Sequence, residues 1–575
     1  MPKLRAAGET IWNLAPAAPD EFFTRFPEYP RPIAQLLYNR GLTDDQEIAA
    51  FLNPSYASEL PDPSKLGGMA EAVAEIRRTI KAKQRIVVHG DYDADGITAT
   101  ALLHDVLKRL GANVGVFIPD RYKEGYGVAS STLERLQGDG VSLVITVDCG
   151  ISSATEIAAA RRKGLRVIVT DHHQPPPTLP VAEAVINPHL PGDRYPDKPL
   201  TGVGVAFKLA QALLADSNLN EQQREAAEKW LLDLVALGTV ADMAELKGEN
   251  RALVRYGLVV LAKTRRLGLR QLMRVAGLDP GHCTGGQIGY SIAPRLNAAG
   301  RLAHAKEALE LLLTDDPARA ETLARELNEL NLRRQAVTRE AVAQAKAALP
   351  PLSDDDRVLV IEGNWQSGIV GLVAGRLTQE FHRPALVIER GERTSRGSAR
   401  SIPAFNMVEA LRKQDGLLDK YGGHAGAAGF SLPTSNLAAF SEALRQYGRE
   451  VLVPSDLRPT LEIEAELEAS EFNFGLLEHL DQLEPFGIGN PQPRFVLRGL
   501  TVAESSVVGR DQSHLKLQLR LSGGQSVTAL AFGMAERMDE LTASKAIDVV
   551  GRPTANTFNQ TKSLEWHVDD FRSTQ

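Results

Sequence analysis

Cysteine is almost missing from this chain of 575 residues. Only Cys149 and Cys283 occur, so no disulfide framework is available, and neither sits in a paired-Cys zinc pattern. A reducing, cytoplasmic setting is the expectation. No apolar run approaches the roughly 18 residues of a spanning helix. The opening MPKLRAAGETIWNLAPAAPDEF also lacks the apolar core of a signal peptide, so no membrane partner is expected. The chain has no overall excess of positive charge either. Asp plus Glu outnumber Lys plus Arg by 72 to 65, a formal charge of −7, so any field that attracts a polyanion must be local. Internal repeats and low-complexity tracts are absent. With 43 % hydrophobic and 24 % charged residues, the composition excludes a largely disordered chain. At roughly 150 residues per domain, the length suggests three or four domains.

From residue 85 four apolar, β-branched runs recur: RIVVHGD (85–91), NVGVFIPD (113–120), SLVITVD (142–148) and RVIVTD (166–171). Helical segments such as ITATALLHDVLKRLG and SATEIAAARRKG separate them. Runs apolar throughout suit strands buried on both faces, and their alternation with helices suits a parallel, doubly wound sheet. Each run ends in a carboxylate: Asp91, Asp120, Asp148 and Asp171. Sites in such sheets form beyond the carboxyl ends of the strands, so these acids are expected along one edge. Residues 1–80 read as a proline-broken helical region packed on the α/β domain that begins at 81. Residues 317–350 read as one long connecting helix stopped by Pro350 and Pro351, with Leu323, Leu327, Leu330, Val337 and Ala341 along one stripe. A second α/β unit runs from RVLVIEG at 357 to the glycine-rich YGGHAGAAGF (421–430). Beyond Pro454 the pattern is β-only. In HLKLQLRLS (514–522) leucines alternate with Lys516, Gln518 and Arg520, and a small barrel of the OB type fits.

HGDYDADG (89–96) carries the densest chemistry. Asp91, Asp93 and Asp95 alternate at the end of a buried strand, where unpaired carboxylates repel one another unless a cation lies between them. Asp148 and the triplet Asp171-His172-His173 close two further strands. Mixed carboxylate and imidazole ligands suit Mn²⁺ better than an all-oxygen Ca²⁺ site, and fit two ions about 3.5–4 Å apart. An EF-hand is excluded by the placement of its glycine and closing Glu. No Ser–His–Asp or Cys–His arrangement competes.

The order HGDYDADG, VTVD ending at Asp148, then Asp171-His172-His173, resembles the motif series of the DHH phosphoesterase superfamily. VALGTVAD (235–242) resembles its fourth motif, and GGHAGAAGF its associated C-terminal domain. LTGVGVAFKLA, SIAPRLNAAGRL, GNWQSGIVGLVAGRL and EPFGIGNPQPRF are similar to the superfamily's single-strand-specific exonucleases. The resemblance implies a DHH catalytic domain (81–316), the connecting helix (317–350), a DHH-associated domain (351–452) and an OB-fold domain (455–575). It implies a hydrolase that removes mononucleotides from the 5′ end of single-stranded DNA with Mn²⁺ or Mg²⁺, in recombination and repair. By the same resemblance Asp91, Asp93, Asp95, Asp148, His172 and Asp242 hold the metals, Asp171 orients a histidine, and His173 faces the scissile phosphate. Catalysis is thereby expected of Asp148, His172 and His173. His89 matches a ligand position of related pyrophosphatases and stays open between ligand and packing residue.

Phosphate donors are expected at Arg121, Arg295, Asn297 and Arg301. Ser398 and Arg400 resemble residues that grip a terminal 5′ phosphate, and His424 sits in a glycine-rich turn able to form an anion nest. A pocket fixed on the terminal phosphate makes an exonuclease, because an internal phosphate cannot enter it. On the barrel, Arg498, Arg510, Lys516 and Arg520 with Phe532, Phe558 and Trp566 admit two readings: a strand-binding face or an ordinary half-buried sheet. The resemblance favours DNA. It also carries the expectation of a monomer working with a helicase and a single-strand-binding protein. Competing readings are a phosphodiesterase for short oligonucleotides or cyclic dinucleotides, and a non-catalytic single-strand-binding scaffold. The last is disfavoured because every motif acid is kept.

Overall fold

A computed structural model describes residues 10–574 except 122, 126, 522, 545, 559 and 560. The chain divides into two compact units. Residues 49–334 with 483–492 form one, and residues up to 48, 335–482 and from 493 onward form the other.

The first unit is built on a five-stranded parallel sheet in the order Asn113–Phe117, Arg85–His89, Val141–Val147, Arg166–Thr170, Ala184–Ile186. Val88, Ile145 and Ile168 lie in its main core, and Val87 and Val144 are buried on the opposite face. That two-sided burial is why those three runs are apolar throughout; Asn113–Phe117 departs from it, being an edge strand that is half-buried to exposed. After Arg85–His89 the chain first adds a strand on one side and then crosses to the other, so the topological switch lies between Arg85–His89 and Val141–Val147. A crevice opens at such a switch beyond the strands' carboxyl ends, and the residues there are Asp91 and Asp148.

In the second unit, a mixed sheet runs Lys420–His424, Ala427–Pro433, Thr394–Arg400, Ala385–Glu389, Leu359–Gly363. Only the last two strands pair in parallel. Helices Ser367–Phe381 and Leu437–Val451 cover opposite faces, through Ile369, Val373 and Leu377 on one and Phe440 and Leu444 on the other. The helix Pro317–Ala348 spans 32 residues. Leu323 and Leu327 belong to the first unit's core, and Ala341 and Ala345 to the second's.

The C-terminal strands Phe495–Val508, His514–Arg520, Ser526–Ala531, Thr561–Ser573 and Ile547–Phe558 close into a barrel, the last pairing back to the first. Leu515, Leu517, Leu519 and Leu521 face its interior, while Lys516 and Arg520 are exposed. The closed order, with one parallel pair between Ser526–Ala531 and Thr561–Ser573, is an OB-type barrel.

The N-terminal region departs from the all-helical expectation. Ile11–Leu14 is a strand paired in parallel with Thr460–Ile463. Trp12 donates to Asp570 at 2.8 Å, and Arg40 pairs with Glu464. Residues 10–48 therefore belong with the barrel. Four residues are too few to show strand periodicity, and their partner lies about 450 positions away, so nothing local announced the pairing.

Candidate metal centre and phosphate-facing residues

Asp93 is the N-cap of helix Ala94–Arg109, its Oδ1 accepting the N–H groups of Asp95 (3.0 Å) and Gly96 (3.1 Å). This turns the strand's acidic tail back over its own end and buries Asp91 and Asp95. Asp95 reaches a second helix start: its oxygens accept from Gly202 (2.7 Å) and Val203 (2.9 Å), the first residues of Gly202–Ala215. A helix N-terminus is a favourable place for a carboxylate. Gly202 is needed there, because a Cβ would sit 2.4 Å from Cβ of Asp148. Asp148 itself has φ +60, a left-handed backbone uncommon for a residue with a side chain.

These residues converge. Asp91, Asp93 and Asp148 offer ligand atoms, carboxylate oxygens or imidazole nitrogens in the groups that follow, within 4.8 Å of one another. So do Asp95, His172 and Asp242, and likewise Asp148, His172 and His173. Nε2 of His172 lies 3.0 Å from Asp148 and 3.9 Å from both Asp95 and Asp242. It makes no aligned hydrogen bond, and Oδ1 of Asp91 is likewise buried without a partner among the described residues. Burial, and then the neighbouring acids, push Asp91, Asp95 and Asp148 well above the carboxylate range. Burial and Asp93 raise Asp242 to about 7. His172 is pushed down to about 4 by burial and by its neighbour His173. Buried acids that repel one another, beside an imidazole held neutral, form a donor set for divalent cations.

Asp171 is saturated. Its oxygens accept from the N–H groups of Ile151, His172 and His173 and from Nδ1 of His173, at 2.8–3.1 Å. Burial works to raise its pKa, but the bonds from His173 hold it below the usual value. In return, although burial opposes the charge on His173, Asp171 lifts it to about 9.

A cavity of about 360 Å³ is lined by Asp91, Asp93, Asp148, His173 and Asp242 together with Arg121, Asn297 and Arg301. Asn297 has a second engagement, its Oδ1 accepting the N–H of Ala94 at 2.8 Å, so it also braces the acidic loop.

Other expected residues lie elsewhere. Arg295 is not at the cavity: it donates to Asn328 (3.0 Å) and to the carbonyl of Ser291 (2.6 Å), because on the helix Ala293–Leu302 it points away from the side carrying Asn297 and Arg301. Asp120 caps its own turn by accepting from Lys123. His89 is fully buried, its Nδ1 3.8 Å from Sγ of Cys149, and joins none of the clusters. The glycine-rich stretch 421–430 is a hairpin of two paired strands joined by the turn at Ala425 and Gly426, with His424 exposed at the end of Lys420–His424 beside that turn. Pairing places His424, Ala427 and Arg400 in one row and Gly422, Gly429 and Ser398 in the next. Among the described residues no atom would contact a Cβ at Gly422 or Gly429, so the backbone beside Ser398 is bare. Arg400 donates to Ser398 Oγ (3.3 Å) and to the carbonyl of Ala399 (2.8 Å), and no carboxylate pairs with it among the described residues. Burial lowers its pKa.

On the barrel, Trp566 is fully buried and cannot stack on a base. Arg498 is neutralised by Glu466 and Asp548. The side chain of Phe558 lies outside the described residues. Phe532 is 53 % exposed, edge-on to His514 and His567. The backbone donors of Gly202 and Val203 were missed in sequence, although Thr201, the N-cap that accepts from Gly204 (3.3 Å), and the glycines of LTGVGVAF signalled a tight helix start.

A parallel sheet whose switch-point crevice gathers Asp, His and backbone donors defines a DHH-type phosphoesterase domain. Residues 85–239 match the family model described as the DHH family, N-terminal domain; 355–450 match the DHHA1 domain and 463–570 the RecJ OB domain. The chain is 34 % identical to the single-stranded-DNA-specific exonuclease RecJ of Escherichia coli, over 95 % of this chain and 96 % of that protein. It is 35 % identical to the Bacillus subtilis counterpart, over 94 % and 67 %. The crystal structure of RecJ in complex with Mn²⁺ from Thermus thermophilus matches with a TM-score of 0.85 at 32 % identity, covering 99 % of this chain and 80 % of that one. The chain belongs to the RecJ family.

Proposed function

We propose that the protein hydrolyses single-stranded DNA from the 5′ end to 5′-mononucleotides, using Mn²⁺ or Mg²⁺ held by Asp91, Asp93, Asp95, Asp148, His172 and Asp242. The observation that carries this reading is the convergence of those residues at one sheet edge, with Asp91 Oδ1 and His172 Nε2 buried and without a hydrogen-bond partner among the described residues. Relatives named single-stranded-DNA-specific exonuclease, and solved relatives carrying Mn²⁺ or Mg²⁺, support it.

Bound there, divalent ions supply Lewis acidity that makes water a nucleophile near neutral pH and offsets charge on the phosphoryl oxygens. The chain supplies the rest. Asp171 holds the His173 imidazole protonated and oriented toward the cavity, where it donates to a phosphoryl or leaving oxygen. Arg121 and Arg301 balance the phosphate's charge, and Asn297 holds the acidic loop against the helix that carries Arg301. Ser398 and Arg400, beside the bare strands at Gly422 and Gly429, receive the terminal phosphate. Arginine's planar fork suits a phosphate, and an unpaired, half-buried guanidinium gains most from an arriving anion.

We read the protein as a cytoplasmic monomer that receives its strand from a helicase or a single-strand-binding protein. Among the described residues no helix is long and apolar enough to cross a membrane. The test is digestion of one oligonucleotide labelled at either end, single-stranded and as blunt duplex, with Mn²⁺ or with EDTA. Mononucleotides are expected from the 5′ end of the single strand alone. Equal attack from the 3′ end, or turnover in EDTA, rejects the reading.

A further inference from the structure

Asp242 is the C-cap of the helix Leu232–Ala241, and the chain leaves the metal cluster from there. Its inner end is tied: the N–H of Asp242 donates to Gly238 O at 2.9 Å and that of Ala244 to Thr239 O at 3.3 Å. Met243 then takes a left-handed φ of +61 and is 68 % exposed, so it packs too little to hold the segment. The outer end is gripped by residues 483–492, which come from far along the sequence yet belong to this unit.

That grip is extensive. The N–H of Leu246 donates to Ile488 O at 2.7 Å. Arg251 is buried, and its guanidinium donates to the carbonyls of Leu483 (3.0 Å), Glu484 (2.9 Å) and Pro485 (3.4 Å) while stacking on Phe51 at 3.8 Å. Arg255 adds a bond to Glu484 O at 3.1 Å. Inside the segment Asn490 donates to Leu483 O (2.8 Å) and Pro485 O (2.9 Å), which fixes its shape. The contact surfaces are glycines. A Cβ on Gly487 would sit 2.7 Å from Cδ1 of Leu246, and one on Gly489, at φ +77, would sit 3.1 Å from Cβ of Glu245. Asn250 supplies one further tether, donating to Glu245 O at 3.2 Å. Such a density of bonds on one short stretch exceeds what fastening a surface loop requires, and the stretch begins three residues past Asp242.

We propose that Leu483–Gln492 is a positioning element for the metal centre. By clamping Glu245–Arg251 it sets the carboxylate of Asp242, and so tunes the ion shared by Asp95, His172 and Asp242. The group Asp91, Asp93 and Asp148 does not depend on it. Arg251 is the positioning residue that transmits the clamp. The inference rests on the proposed metal assignment.

The test is Mn²⁺ titration of the full chain by calorimetry, for the wild type, Arg251→Lys, Gly489→Ala and Asp242→Asn, each checked by thermal melting. Two Mn²⁺ equivalents are expected in the wild type. Arg251→Lys and Gly489→Ala should weaken one equivalent about tenfold, in the range typical of changes behind a ligand, and leave the other unchanged. The Mn²⁺ needed for half-maximal turnover should rise in step, while the oligonucleotide KM at saturating Mn²⁺ stays the same. Should Arg251→Lys melt early, Gly489→Ala carries the same comparison at a half-buried site. Two unaltered equivalents in a folded clamp variant, with one weakened in Asp242→Asn, overturn the clamp and leave the metal reading standing. Two unaltered equivalents in Asp242→Asn itself overturn the metal assignment beneath it.

Discussion

The acid-lined cavity and the sheet face around Arg400, the two surfaces proposed to receive phosphate, are built in opposite ways. The cavity gathers Asp91, Asp93, Asp148 and Asp242 with two arginines at its wall. The sheet face presents Arg400 with no acid paired to it among the described residues, beside backbone left bare at Gly422 and Gly429. Carboxylates repel a phosphate unless cations lie between them, whereas a lone guanidinium attracts one directly. One surface therefore needs a divalent ion to become a phosphate site and the other does not. In a chain with a formal charge of −7, any field that draws in a polyanion has to be local.

Three measurements sharpen or break that contrast. The largest effect is expected for Asp148→Ala, which removes an acid common to two of the ligand groups. Turnover should fall by on the order of 10³-fold or more, with little change in binding of a 5′-phosphorylated strand. An equal loss of binding would show that the two surfaces are not separable. Next comes Arg400→Ala, which should raise KM about tenfold, the scale of one charge-assisted hydrogen bond, and spare kcat. The increase should be largest for 5′-phosphorylated ends. Indifference to that phosphate would remove Arg400 from the pocket. The smallest effect concerns stability without metal. Asp242 is raised to about 7 in the folded protein by burial and Asp93. Its stabilising contribution is present below the unfolded carboxylate value of about 4 and is lost as pH rises through about 7. Wild type and Asp242→Asn should thus melt alike near pH 4, with the wild type lower by a few degrees at pH 8. Excess Mn²⁺ should reverse that order. A difference independent of pH and of Mn²⁺ would mean that Asp242 does not titrate within the cluster.

What was legible in sequence was whatever leaves a local pattern. The three strands Arg85–His89, Val141–Val147 and Arg166–Thr170 are buried on both faces, so they read as apolar runs, and their ends place Asp91, Asp148 and Asp171 without further information. The barrel's alternating leucines read equally well. Residues whose role depends on a distant partner did not. Arg295 looked like Arg301, but Asn328 takes its guanidinium. Asp120 ends a strand as Asp148 does, yet that strand lies at the sheet's edge, away from the switch point, and Asp120 caps its own turn. Trp566 looked like a stacking platform and is core, since an inward and an outward aromatic differ only by strand register. The strand Ile11–Leu14 and the clamp at 483–492 are long-range pairings with no periodic signature.

By itself the sequence determined the doubly wound sheet, the order of its acidic strand ends, the alternating barrel and the chemistry of the donor set, because periodicity and residue type are local properties. Tertiary structure alone decided which acid ends up beside which imidazole, that Asp171 is spent on His173 while Asp91 and His172 keep atoms without a hydrogen-bond partner among the described residues, and that residues 483–492 bond to Leu246 and Arg251. Those outcomes depend on distances between segments up to hundreds of residues apart, and only the packed chain sets them.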